Sequence, residues 1–126
     1  MYWMDRKTAQ SLILLTYKGK VLLMNKSDGP MDTQQHAWTL IEGAASQKEM
    51  TEKALIKEVE RQMGIKIEKA ERVAESYYHA QLTDNDVNNI DRSEGQLLDF
   101  FTRRELDNLL LSSPTQQFIQ KHGDLI

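Results

Sequence analysis

Three polar residues within one helical turn hold the chemistry this 126-residue chain could do: Glu58, Arg61 and Gln62. At 3.6 residues per turn, positions i, i+3 and i+4 share a face, so a carboxylate, a guanidinium and an amide are presented together. A carboxylate placed there can ligate a divalent cation or take a proton as a general base. A guanidinium offers phosphate a bidentate fork, and Lys57 and Arg92 are two further cations suited to the same anion. The two chemistries compete, because Arg61 at i+3 also reaches Glu58 as an ion pair.

The stretch that must position these groups runs from Gly43 to Ile65, GAASQKEMTEKALIKEVERQMGI, and reads as a turn followed by a helix. Ser46 with Glu49 three residues on forms a capping box, which explains Glu49 better than catalysis does. Leu55, Val59 and Met63 recur every four residues, with Ile56 beside them, so one stripe faces a core. Glu60 points nearly opposite to the Glu58 face. Gly64 is placed to end the helix at positive φ, and Ile65 starts the next extended run.

This spacing, G-x5-E-x7-[RK]-E-V-x-x-x-x-G-I, resembles the Nudix box, G-x5-E-x7-R-E-U-x-E-E-x-G-U with U aliphatic. Gly43, Glu49, Glu58, Val59, Gly64 and Ile65 match it, and Lys57 replaces the usual arginine. Arg61 and Gln62 stand where the family has paired glutamates. Upstream, Trp38 to Gly43 is similar to the family's W-x-[LF]-P-G-G lead-in, with the proline and first glycine lost. A second similar segment follows at Glu94-Gly95-Gln96, where the family brings a loop glutamate towards the site. The resemblance is strongest over 36–65 and 94–106. It implies an α/β fold, a Nudix-type α/β/α sandwich with a mixed sheet between helices, formed by residues 1–126 as a single domain.

The resemblance also implies hydrolysis of nucleoside diphosphates linked to another moiety, with Mg2+ held by glutamates of the box helix. Glu58 and Glu94 are then the catalytic candidates. Glu42, which replaces a metal-contacting glycine, joins Glu58 as a metal candidate. Lys57, Arg61, Gln62 and Gly43 are the ligand-binding candidates. The departures weigh on the metal. Glu58, Arg61 and Gln62 sum to zero charge where three carboxylates would sum to −3. A unit-charge pair at ~4 Å is worth roughly 4 kcal/mol at an effective dielectric of ~20, so two lost attractions and one added repulsion outweigh a single Glu58 contact. Magnesium is expected to bind weakly or not at all.

Three readings stay open at this point. One is a Nudix-fold protein binding a small phosphorylated, nucleotide-type ligand with hydrolysis reduced or absent. Another is an active pyrophosphohydrolase using Glu58, Glu94 and Glu42 around a repositioned magnesium. The last is an interaction module that does no catalysis.

Composition narrows the partners. A formal net charge of −3 lacks the basic surface a nucleic-acid duplex needs. Zero cysteines remove disulfides and thiol chemistry, in keeping with a cytoplasmic setting. Apolar runs such as Leu12 to Leu15 are too short to cross a membrane. A homodimer is compatible with the resemblance.

In chain order, Tyr2, Trp3 and Met4 read as packing or partner contacts, with base stacking by Trp3 as the alternative. Ser11 to Tyr17 and Lys20 to Asn25 read as a hairpin about Lys18-Gly19, its strands covered on both faces. Lys26 to Gln35 is a polar loop and His36 to Leu40 a short strand. Ala70 to Leu82 alternates as one strand, with Tyr77 or Tyr78 available to a nucleobase or to sheet packing. Thr83 to Ser93 reads as a solvated loop, its acidic and amide residues lacking a calcium-loop spacing. Thr102 with Glu105 is a capping box opening a helix striped by Leu106, Leu109 and Leu110. Ser113-Pro114 begins a last helix ending near Gly123.

Overall fold

The computed structural model describes residues 11–26, 37–43, 51–74, 76–91 and 96–126. Ser11–Tyr17 (β1) and Lys20–Lys26 (β2) turn back through Lys18 at φ 49° and Gly19 at φ 79°. Both central residues of this turn are left-handed, the twist that matches a two-residue hairpin. Tyr17 donates to Asp84 Oδ1 at 2.6 Å and Lys18 Nζ lies 3.5 Å from the same oxygen, which ties the turn to the start of a short helix distant in sequence.

Past the turn the hairpin opens. β1 and β2 are in register only at Thr16–Val21 and Tyr17–Lys20. Residues 37–43 form the wedge between them. Thr39 exchanges both backbone bonds with Met24 at 2.9 Å, and Ile41–Gly43 (β3) pairs antiparallel with Ser11–Ile13. The strand expected at His36 to Leu40 therefore lies later, at Ile41–Gly43. Residues 38 and 39 make single bridges, Trp38 to Leu111 and Thr39 to Met24. His36 is outside the described residues.

After Thr51–Met63 (α1) come Glu71–Ala74 (β4) and Tyr77–Gln81 (β5), which pair antiparallel. The single strand expected over Ala70 to Leu82 is thus folded back on itself. Thirteen extended residues would span roughly 43 Å, about twice the reach of the seven-residue β1 that β5 lies against. β1 and β5 run parallel, and Gln96–Thr102 (β6) runs antiparallel to β2 along seven residues. The order is β4-β5-β1-β2-β6, with β3 on β1, a mixed sheet.

Continuous apolar runs in β1 and β2 supply both faces at once, because successive side chains alternate. Ile13, Leu15, Leu22 and Met24 pack with Leu55, Val59 and Met63 of α1. Leu12, Leu14, Val21 and Leu23 pack on the other face with Leu40, Leu106, Phe118 and Ile119. The second cover is the C-terminal helix Ser113–His122, with Pro114 in its first turn. Its Thr115, fully buried, accepts the Leu40 backbone N–H at 3.0 Å and so fastens this helix to the wedge.

Two shorter helices correct the sequence reading. Asp84–Asn88 (α2) lies inside the stretch expected to be a solvated loop, opened by a capping box between Thr83 and Asp86. Arg103–Leu106 (α3) begins with the expected Thr102–Glu105 box but stops after one turn. Leu106 is buried, whereas Leu110, expected on the same stripe, is 60% exposed. No helix among the described residues is long and apolar enough to cross a membrane.

Candidate functional site

The site is built where α1 lies across β3. A Cβ on Gly43 would meet Leu55 Cδ2 at 3.0 Å, so the absent side chain lets the helix approach the end of the strand. Glu42, beside it, is half-buried and opposite Leu12 in the ladder. At the far end, Gly64 takes φ 74° and Asp91 donates its backbone N–H to Met63 O at 2.7 Å, which stops the helix. The Leu55, Val59 and Met63 stripe is fully buried beneath. Its burial orients the Glu58 face away from the core.

On that face, Arg61 Nε donates to Glu58 Oε1 at 3.2 Å and Arg61 Nη2 pairs with Glu58 Oε2. Gln62 Nε2 donates to the same Oε2 at 2.7 Å. Glu58's side chain is 21% exposed and that of Arg61 69%, so the carboxylate is sheltered under an outward guanidinium. Glu58, by hydrogen bond and by charge, holds the Arg61 guanidinium above its usual pKa. Arg61 Nη1 makes no bond to a described residue. Lys57 is exposed on the adjacent position.

Three of the residues singled out from sequence, Glu58, Arg61 and Gln62, are therefore in mutual contact. Gly43 touches α1 one turn earlier, at Ala54 and Leu55. Glu94, Arg92, Ser46 and Glu49 fall outside the described residues, as do Tyr2, Trp3 and Met4. The described aromatic candidates pack against other side chains, Tyr78 buried and Tyr77 and Trp38 half-buried. Tyr77 stacks on Phe118 with centroids 4.2 Å apart, Trp38 meets Phe101 edge-on at 4.9 Å, and Tyr78 is buried beneath α1.

A magnesium cage does not fit the described donors. Both Glu58 oxygens already accept bonds from Arg61 and Gln62, and a cation there would face the guanidinium at close range. No group of three or more histidine, aspartate or glutamate side chains that could hold a metal occurs among the described residues. The arrangement suits an anion instead, since the guanidinium is exposed and pre-positioned by the carboxylate beneath it.

One feature had no sequence signal. A concavity of about 820 Å³ lies at the end of β5, lined by Lys66, Lys69, Glu71, His79 and Asn85 among others. His79 Nε2 is 2.8 Å from Thr16 Oγ1. Burial pushes the imidazole below its usual pKa, and Glu71 across the ladder partly opposes the shift. These residues are distant in sequence, and only strand pairing brings them together.

No family model matches the chain, and no curated protein matches it. Solved structures do. A mutT/nudix family protein from Listeria innocua superposes with a TM-score of 0.74 at 14% identity, over 94% of this chain and 92% of that one. The NUDIX domain of Shewanella oneidensis NrtR, complexed with ADP ribose, gives 0.63 at 14% identity, over 91% and 85%. An ADP-ribose pyrophosphatase from Streptococcus suis gives 0.59 at 16% identity, over 85% and 80%. At such identities the likeness establishes the fold. The chain has the Nudix fold, with helices on both faces of a mixed sheet.

Proposed function

We propose that this Nudix-fold chain binds a small nucleotide-type phosphorylated ligand, of the kind ADP-ribose represents, and that its magnesium-dependent hydrolysis is reduced or absent. One observation carries the reading: the Glu58 carboxylate is held by Arg61 and Gln62 from its own helix face. Glu58 is then a positioning residue that orients the Arg61 fork, and Arg61 with Lys57 supplies the charge that meets phosphate. Gln62 contributes an amide beside them. Two similar structures are described with ADP-ribose, as ligand and as substrate, which supports the ligand class.

Thermal melting with ADP-ribose, a dinucleotide and a nucleoside triphosphate, each with and without magnesium, tests this. The expected result is a rise in melting temperature that persists in EDTA and is lost in Arg61→Ala. No shift across the panel overturns it. Magnesium-dependent release of a nucleoside monophosphate, abolished by Glu58→Gln, would replace it with the active-hydrolase reading through Glu58, Glu42 and Glu94.

A further inference from the structure

The concavity at the end of β5 owes its polar floor to strand alternation. On the sheet face that packs with the C-terminal helix, Leu12 and Leu14 of β1 and Tyr77 of β5 are apolar. Continuing along that face come Thr16, His79 and Gln81, and Glu71 stands opposite His79 in the β4 ladder. The hollow so formed, about 820 Å³, has the size of a small-molecule site. Thr16 takes up His79 Nε2, and Nδ1 makes no bond to a described residue. Burial keeps the ring neutral at about pH 7, so it offers a hydrogen bond rather than a positive charge.

The rim supplies both signs. Lys66, Glu68, Lys69 and Glu71 are exposed and all line the concavity. None of the four forms an ion pair among the described residues. Their charges cancel, and Asp86, which also lines the hollow, already accepts the Thr83 N–H. A phosphate would meet as many carboxylates as ammonium groups here, and so would a simple cation. A solute carrying both signs gains from both. We propose that this concavity is a second binding site, for a small zwitterion of the amino-acid class, its carboxylate meeting Lys66 and Lys69 and its ammonium group meeting Glu71. The site stands whether or not the Arg61 face binds a nucleotide. Water and salt screen such exposed charges, so the affinity belongs at about millimolar.

A nuclear magnetic resonance titration of the full chain at about pH 7.5, following the His79 ring signals, tests this. The probes are glycine, glutamine and phenylalanine, each beside its N-acetyl and its carboxamide form, with inorganic phosphate as the anion alone. A saturable shift is expected with at least one free amino acid, its two blocked forms binding about tenfold more weakly, as loss of a charge-assisted hydrogen bond requires. Glu71→Gln and Lys69→Gln each weaken the free form by about the same factor. Both substitutions are at exposed positions, and a far-UV spectrum matching the unmodified chain confirms the fold. No saturable shift with any of the three amino acids overturns the proposal. Equal binding of a blocked form or of phosphate also overturns it, as does unchanged affinity in both variants.

Discussion

Glu58, Arg61 and Gln62 meet because helix periodicity alone puts them together, which is why this contact was legible from sequence. Local geometry of that kind needs no knowledge of the fold. The same logic gives a reciprocal experiment. Arg61→Glu with Gln62→Glu sets three carboxylates at i, i+3 and i+4, which repel one another by about 0.2–0.5 kcal/mol per pair on an exposed helix. The double variant is expected to melt lower than the parent without magnesium and to regain stability with it. Calorimetric titration should show magnesium affinity several-fold above the parent, and sodium chloride at equal ionic strength should not substitute. Equal affinity in both proteins would show that charge at these two positions is not what excludes the ion. Glu94 and Glu42 bear on the same question, and the first of them lies outside the described residues.

At the scale of elements, legibility depended on whether the signal was local. α1 from Thr51 onward, its terminal Gly64 and the Thr102–Glu105 box follow from neighbours in sequence and stand where the residues place them, while the Ser46–Glu49 box lies outside the described residues. The turn between β4 and β5 has no glycine, proline or Asn-Gly to mark it, so the alternation ran on across it. α2 escaped because its box closes with Asp86 rather than a glutamate and none of its residues is buried. The wedge of residues 37–43 depends on partners far away in the chain, at Met24 and Leu110 to Ser112. Gly43 shows what a motif glycine does here. Its missing Cβ leaves room for Leu55, and the conflict that Gly43→Ala creates is with a side-chain methyl group 3.0 Å away. That variant is expected to lose about 1–3 kcal/mol, as overpacking does. Leu55→Ala alone should lose about 2–5 kcal/mol by opening a cavity. Because the second change removes the atom the first one hits, the double variant should lose less than the sum in urea unfolding. Strict additivity would mean that Gly43 is required for something other than the approach of α1.

For the molecule as a whole, the α/β sandwich was readable through the resemblance, to which the apolar runs of β1 and β2 added strands covered on both faces, and α1 and the C-terminal helix supply that cover. What the sequence did not disclose is how the sheet's far end gathers His79, Thr16 and Glu71 from three strands. That gathering links global stability to pH. His79 is half-buried, and burial holds its folded pKa below the ordinary imidazole value of about 6.5. Between those two values the unfolded chain binds the proton more readily, so stability rises with pH there. The neutral imidazole's contribution is complete above about pH 6.5, declines as pH falls through the folded pKa, and is flat below it. Glu71 opposes this by favouring the charged ring, while Lys66 and Lys69 line the same concavity. Melting temperature measured from about pH 8 down to about pH 5 should therefore fall more in the parent than in His79→Gln, which can still bond Thr16 but cannot titrate. The comparison isolates the imidazole together with its coupling to Glu71, because the remaining carboxylates are common to both proteins. Parallel curves would mean that the ring gains a proton without loss, through a rearrangement that carries it into the open concavity.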